Sequence, residues 1–247
     1  MGTERGSGGR LGRKLSGVAV AVGCLLFLGG FAWGALVYRP YAVPTDSMYP
    51  TVRPGDRVLA ERIDGAEARR GDIVVFEDGQ WGGGPMLKRV VGVGGDTVSC
   101  CGEGGRLTVN GRPVEEPYLS RSTGQGTSET FTAKVPEGRL FLLGDERMGS
   151  LDSRSHLQEA GGGSVPGSAV RGRLDAFAWP LTGGTIERPE GFAALPGGVS
   201  EPGPIRLITL AVAAGAVLII GGAAHGPLTA RRRAGAGAGR TVAGAGA

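Results

Sequence analysis

Two apolar runs near opposite ends of the chain constrain its fold more than any other feature. Residues 15–38 contain no charged side chain over 24 positions, and residues 205–224 contain only Arg206. A helix of about 20 residues spans the hydrocarbon core of a bilayer, so both runs predict transmembrane helices. A cleaved signal peptide is the alternative for the first run, and a buried core helix is the alternative for the second.

Basic side chains flank both runs on their outer sides. Residues 5–14 carry three arginines and Lys14, and residues 231–233 are all arginine. The positive-inside tendency then places both termini in the cytoplasm. We therefore expect a multi-pass protein of the cell membrane. It would have a cytoplasmic tail at residues 1–14, an extracytoplasmic domain at residues 39–204 and a cytoplasmic low-complexity tail at residues 225–247.

The intervening region is rich in short β-branched runs separated by Gly, Asp and Pro, which predict strands. The predicted strands are residues 57–62, 72–76, 87–93, 97–100, 107–109, 131–135, 140–143 and 169–179. Asn110-Gly111 predicts a two-residue hairpin turn, because both residues tolerate positive φ angles. The Gly-rich residues 160–167 are expected to form a loop. The predicted fold is mainly β, with antiparallel sheets forming a curled, barrel-like catalytic domain flanked by two transmembrane α-helices.

The three cysteines support neither a metal site nor a disulfide framework. Cys24 lies in the first apolar run, and Cys100 and Cys101 are adjacent. Neighbours in sequence rarely form a disulfide with each other. No Cys-x-x-Cys pattern is present, so we expect no metal and no cofactor.

Ser47 lies in a stretch that contains Pro44, Pro50 and Pro54, directly after the first apolar run. Each proline fixes φ near −65° and removes a backbone donor, so the stretch predicts a rigid, non-helical loop that holds Ser47 in one place. A stiff linker after a membrane helix is the alternative.

A serine nucleophile needs a base, and lysine is a better candidate here than histidine. His156 is expected at the surface, and a Ser-His-Asp triad that uses it is the weaker alternative. Only three lysines occur, and Lys88 lies among apolar residues on a predicted strand. Burial lowers the pKa of an amine, so Lys88 is the candidate base. An edge-strand lysine that prevents aggregation is the structural alternative.

Residues 144–154 form a third polar segment, dense in hydroxyls, carboxylates and arginines. We expect Ser150 to form a hydrogen bond with the lysine amine, and Asp152 to pair with Arg154 and hold the loop. A solvated loop with incidental ion pairs would have a similar composition.

Together the three segments resemble the bacterial type I signal peptidase (leader peptidase) family of Ser/Lys proteases. Residues 47–51 are similar to its Ser-Met-x-Pro-Thr box, residues 88–96 to its lysine box, and residues 144–154 to its Gly-Asp-x-Arg and Ser-x-Asp-Ser-Arg box. The resemblance runs in the family's order from residue 15 to residue 180. It implies a membrane-bound serine endopeptidase that removes signal peptides from exported preproteins after small residues, at A-x-A type sites.

The resemblance also implies a role for each matched residue. Ser47 would be the nucleophile and Lys88 the general base, while the Ser47 N–H and the Thr45 hydroxyl would form the oxyanion hole. Ser150 would orient the amine. The supporting residues of the loop would be Asp145, Arg147, Asp152 and Arg154. The residues of the apolar substrate pockets would be Val43, Pro44, Met48, Val52 and Leu87.

Three positions depart from the family pattern: Glu146 replaces an asparagine, Met148 a polar residue and Gly94 a proline. The expected partners are exported preproteins and membrane lipid, with no nucleic acid, and the oligomeric state is left open. Two other functions stay open at this point. One is an inactive membrane-anchored β scaffold, and the other is a self-cleaving Ser/Lys regulatory peptidase.

Overall fold

The structure is a computed structural model that describes residues 7–102, 105–119 and 130–238. The chain divides into two compact units. One contains both long helices, and the other comprises residues 37–203. The first six residues of the expected N-terminal tail and the last nine of the expected C-terminal tail lie outside the described residues.

The two apolar runs form helices α1 (Ser7–Val37) and α2 (Ile205–Ala238), each of which extends beyond its run. Residues 14–37 have a mean hydropathy of 2.2, and residues 205–224 have 2.3. Only 11% and 17% of these windows are buried, whereas the core helix of a soluble protein is mostly buried. Both helices are therefore long and apolar enough to cross a membrane, and the buried-core alternative for α2 does not fit.

The two helices pack closely because glycines face each other between them. A Cβ atom at Gly215 would lie 2.6 Å from the backbone nitrogen of Phe27 and 2.7 Å from the carbonyl oxygen of Gly23. The Ser16 hydroxyl donates a hydrogen bond of 2.6 Å to the carbonyl oxygen of Gly222. Small residues and interhelical hydrogen bonds of this kind are typical of helices that associate in a membrane.

The described part of residues 37–203 contains eleven strands. They are β1 (Tyr38–Ala42), β2 (Arg57–Glu61), β3 (Ile73–Phe76), β4 (Met86–Val93), β5 (Thr97–Cys100), β6 (Thr108–Val109), β7 (Arg112–Pro113), β8 (Phe131–Lys134), β9 (Arg139–Leu143), β10 (Val165–Pro166) and β11 (Val170–Trp179). Each of the eight predicted strands matches one of them. Strands β1, β7 and β10 were not predicted, and β10 lies within the expected loop at residues 160–167.

All strand pairings are antiparallel, as predicted. Seven strands form a sheet in the order β1-β2-β11-β3-β4-β9-β10, and four form a second sheet in the order β7-β6-β5-β8. Register shifts within β4 and β11 mark bulges, which bend a sheet and increase its twist. The mainly β prediction is confirmed, and the larger sheet is open, with β1 and β10 at its edges.

The predicted hairpin turn is confirmed between β6 and β7. Val109 pairs with Arg112, so Asn110 and Gly111 form a two-residue connection. Their φ angles are 53° and 77°, as a type I′ turn requires. The Asn110 side chain also donates to Asp96, which fixes the turn to the segment before β5.

Cys100 and Cys101 are joined as a disulfide, although their adjacency argued against it. Strand β5 ends at Cys100, so the alternation that would point consecutive side chains to opposite faces stops there.

Candidate active site

The loop that carries Ser47 connects β1 to β2 and is fixed by both packing and hydrogen bonds. Met48 and Val52 are almost fully buried, in a core cluster that also contains Val58 and Leu87. At the base of the loop, the Val43 N–H donates to the Asp56 carbonyl at 2.9 Å. The stretch is non-helical and held in one conformation, as its prolines indicated.

Lys88 lies on β4, with its amine against the serine hydroxyl. Strand β4 pairs with β3 on one side and β9 on the other, so Lys88 is not on an edge strand. The side chain is buried, and Nζ is 2.9 Å from Ser47 Oγ. Burial lowers the pKa of the amine from its usual 10.5, and this outweighs the nearby charges of Asp152 and Asp145, which raise it. The structure therefore brings together a candidate nucleophile and a candidate base whose pKa is shifted toward neutrality.

Thr45 lies beside this pair, with its hydroxyl oxygen 3.4 Å from Ser47 Oγ. In this position the Thr45 hydroxyl could donate a hydrogen bond, beside the Ser47 N–H, to the carbonyl oxygen of a bound substrate. Its role in the oxyanion hole stays a prediction.

Residues 144–154 pack directly against the nucleophile loop. The Glu146 N–H donates to the Ser47 carbonyl at 3.1 Å. A Cβ atom at Gly144 would lie 2.6 Å from that same carbonyl oxygen and would also meet the side chain of Ser150. Glycine is therefore required at position 144 by close approach.

Ser150 is placed beside the pair, but its hydroxyl does not bond the amine. Ser150 Oγ is buried and has no hydrogen-bond partner in the part of the chain that the structure describes. The expected hydrogen bond to Lys88 is therefore not formed in this structure, and the orienting role stays a prediction.

Asp152 and Arg154 form the expected ion pair, with Arg154 Nε and Nη2 each 2.8 Å from a different carboxylate oxygen. Asp152 also accepts from the Gly144 N–H at 3.0 Å, and Arg154 donates to the Arg147 carbonyl at 2.7 Å. These bonds close the loop on itself.

Asp145 and Arg147 each pair with a residue outside the loop that the sequence did not suggest. Asp145 accepts two hydrogen bonds from Arg89, at 2.8 and 2.7 Å, and a third from Thr51 at 2.5 Å. Arg147 binds both carboxylate oxygens of Glu116, at 3.0 and 2.5 Å. Arg89 follows Lys88 on β4 and Thr51 belongs to the nucleophile loop, so Asp145 joins all three segments of the site.

A cleft of about 300 Å³ opens at the dyad. Its lining residues are Val43, Pro44, Thr45, Asp46, Ser47, Met48, Pro85, Met86, Leu87, Lys88, Gly149 and Leu151. Four of the five predicted pocket residues are among them. Val52 is not among them: it is fully buried in the core cluster that also contains Met48 and Leu87, and its place in a substrate pocket stays a prediction.

The three positions that depart from the family pattern can each be described from their local surroundings. The Glu146 carboxylate accepts a hydrogen bond from the Gly149 N–H and so closes the turn that contains Met148. Met148 is exposed. At Gly94 a Cβ atom would lie 3.0 Å from the Glu137 backbone, so a small residue fits there.

His156 is partly buried and lies outside the site. Its ring stacks on Trp81 at 4.3 Å, and Nδ1 is 2.8 Å from a carboxylate oxygen of Glu159. The partner of the Ser47 hydroxyl is an amine, so a triad based on His156 is not formed. Within residues 7–102, 105–119 and 130–238, no cluster of three or more His, Cys, Asp or Glu side chains could hold a metal ion.

Comparison with known proteins finds similarity to signal peptidases. Residues 15–179 match the family model described as signal peptidase, peptidase S26. The chain is 31% identical over 194 residues to signal peptidase I of Mycobacterium tuberculosis (strain ATCC 25618 / H37Rv), covering 58% of this chain and 66% of that protein. It is 35% identical over 130 residues to signal peptidase I T of Bacillus subtilis (strain 168), covering 49% of this chain and 66% of that protein.

The match therefore spans just under two thirds of the length of those two relatives. Among solved structures, a signal peptidase I from Enterococcus faecalis V583 is 32% identical, with a TM-score of 0.35. That match covers 43% of this chain and 95% of the solved chain.

Proposed function

Because this chain belongs to the signal peptidase family, peptidase S26, we propose that it is a membrane-bound serine endopeptidase that removes signal peptides from exported preproteins. Ser47 is the nucleophile and Lys88 the general base. The observation that carries this assignment is the 2.9 Å contact between Lys88 Nζ and Ser47 Oγ within a buried environment.

The reaction follows from the chemistry of these two groups. The neutral amine of Lys88 takes the proton of Ser47 as Oγ attacks the scissile carbonyl, and the resulting ammonium donates it to the leaving amine. Water then attacks the acyl-enzyme as Lys88 accepts its proton, and the resulting ammonium returns that proton to Ser47 Oγ as the acyl bond breaks. Arginine at position 88 could not serve, because a guanidinium stays protonated in proteins.

The developing oxyanion is stabilised by the Ser47 N–H and the Thr45 hydroxyl. Support for Thr45 comes from its position 3.4 Å from Ser47 Oγ. Donors of this kind are worth about 3 kcal/mol each in acyl transfer. Asp145, Arg147, Asp152 and Arg154 hold the loop. Ser150 orients the amine, and support for this role comes from its buried hydroxyl, which has no other hydrogen-bond partner among the described residues.

Cleavage after small residues at A-x-A type sites is supported by the walls of the cleft. Val43, Met48 and Leu87 line the cleft and are each less than a tenth exposed, so they offer only a small apolar area to a substrate side chain. Pro44 also lines the cleft. A small apolar contact area suits alanine-sized side chains.

The two helices anchor the enzyme in the membrane where its substrates are also anchored by their signal helices. Holding both partners in one plane raises their effective concentration. The basic flanks of the two runs support a topology with both termini in the cytoplasm. A reporter enzyme fused after Ala247 should therefore be active only as a cytoplasmic reporter, and activity of an exported reporter there would contradict this topology.

The function is tested with purified full-length protein in detergent and a labelled preprotein that carries an A-x-A cleavage site. We expect one cut after the second alanine, its loss in Ser47→Ala and Lys88→Arg, and its retention in Ser168→Ala and Lys134→Arg. The two control residues are exposed serine and lysine side chains outside the site. Cleavage by Ser47→Ala would refute the nucleophile, and activity of Lys88→Arg would make Lys88 a structural cation. Failure of the unmodified protein to cut any preprotein would favour the inactive scaffold.

A further inference from the structure

Leu151 is a large apolar side chain that lines the cleft while remaining mostly exposed. It is 61% exposed, whereas its neighbours Ser150 and Asp152 are 9% and 0% exposed. Leu151 is therefore the part of this loop segment that faces outward, and it does so into the cleft that contains the dyad.

The position of Leu151 relative to the nucleophile is fixed by hydrogen bonds on both of its sides. Before it, the Glu146 N–H donates to the Ser47 carbonyl, and the Ser150 N–H donates to the Glu146 carbonyl, each at 3.1 Å. After it, the Asp152 carboxylate accepts hydrogen bonds from the Gly144 N–H at 3.0 Å and from Arg154 Nε at 2.8 Å. A side chain on so constrained a backbone is pre-organised for contact with a ligand.

Leu151 also has exposed apolar surface, which three other apolar side chains of the cleft lack. Val43, Met48 and Leu87 are 4%, 1% and 8% exposed, so they have little further surface to bury against a substrate. Leu151 can still bury more than half of its side chain. Burial of apolar area is the main source of affinity at such a contact.

From this placement the structure assigns Leu151 as a specificity-determining residue that contacts a large apolar side chain of the substrate. An extended peptide points alternate side chains to opposite sides. If the two small residues of an A-x-A site face the wall formed by Val43, Met48 and Leu87, the middle side chain and that of the first residue after the cut point away from that wall. Leu151 belongs to a different chain segment, and it therefore meets either the middle residue or the first residue after the cut.

This assignment rests on the proposed function and deepens it. The test uses full-length protein in detergent and peptides that share one A-x-A site, with alanine or leucine at the middle position or at the first position after the cut. The unmodified protein should prefer leucine at one of these two positions. In Leu151→Ala that preference should fall about tenfold, mainly through a higher KM, as for the loss of an apolar contact in a binding site. Leu151→Met, which keeps the apolar volume, should retain it.

Met148 supplies the matched control. It is on the same loop and is 65% exposed, but it is not among the described residues that line the cleft. Met148→Ala should leave the preference unchanged. An unchanged preference in Leu151→Ala, or an equal loss for every peptide, would overturn the assignment while leaving Ser47-dependent cleavage intact. Cleavage that persists in Ser47→Ala, or no cleavage at all, would instead refute the proposed function and this assignment with it.

Discussion

Replacement of Gly144 by alanine tests whether residues 144–154 place the nucleophile. The new Cβ atom would lie 2.6 Å from the Ser47 carbonyl oxygen, while real Cβ atoms essentially never come within 3.0 Å of another heavy atom. The Ser47 carbonyl must then move by about 0.4 Å. The side chain of Ser150 lies closer still, and its Cβ cannot be moved aside by a rotamer change.

The shift acts on the residue that carries the reacting hydroxyl. The contact between Lys88 Nζ and Ser47 Oγ is 2.9 Å, so little displacement is tolerated before it is lost. A misplacement of about 1 Å costs on the order of 100-fold in rate. For Gly144→Ala we therefore expect kcat to fall about 10- to 100-fold, with a loss of about 1–3 kcal/mol in the free energy of unfolding from overpacking.

The assay is cleavage of a labelled preprotein by detergent-solubilised protein, with thermal unfolding followed in parallel. Gly84→Ala is the matched control, because a Cβ atom there meets nothing within 4 Å and Gly84 also lies close to the dyad in sequence, just before β4. A Gly144→Ala protein with the kcat of Gly84→Ala would refute the reasoning. Lower stability with an unchanged kcat would show that the loop stabilises the domain without placing Ser47.

Two further predictions concern packing. Thr51→Val removes a part-buried hydrogen bond of 2.5 Å to Asp145 and leaves that buried carboxylate with one donor fewer, so the free energy of unfolding should fall by about 1–3 kcal/mol. Thr51→Ser keeps the donor and should not lower it. Equal unfolding midpoints for the two variants would contradict this prediction. Gly215→Leu should separate α1 from α2, because even a Cβ atom at this position would lie 2.6 Å from the Phe27 backbone nitrogen. Gly29→Leu is the control and should leave the two helices together, because a Cβ atom at Gly29 meets nothing within 4 Å. Cross-linking of cysteines introduced in the two helices measures the difference, and equal yields for both variants would count against the packing.

Much of the fold was predictable because each buried strand carries its own local pattern. Strands such as β3 (Ile73–Phe76) and β9 (Arg139–Leu143) are compact runs of β-branched and aliphatic residues. Strand β1 was missed because it begins directly after the apolar helix with no turn signal and contains Pro40, which is compatible with its edge position. Strand β10 is only two residues long, in a Gly-rich segment.

The contact between Ser47 and Lys88 was predictable because lysine is rare in this chain and Lys88 lies in an apolar run. The ion-pair partners of Asp145 and Arg147 could not be predicted from the sequence. Arg89 and Asp145 are 56 positions apart in sequence, and nothing local distinguishes Arg89 from the many other arginines. Val52 is fully buried beside Met48, and the sequence of a proline-rich loop does not indicate which of its apolar side chains point inward.

The central claim is that Lys88 acts as a neutral amine, and the pH dependence of kcat/KM tests it most directly. Burial lowers the pKa of Lys88 below 10.5, so the base form is populated at a lower pH than for an exposed lysine. Activity should therefore rise with pH, because only the deprotonated amine can accept the Ser47 proton. The account predicts a rising limb with a midpoint below 10.5 in the unmodified protein. A profile with no rising limb, or a midpoint at the value of a solvent-exposed lysine, would contradict it.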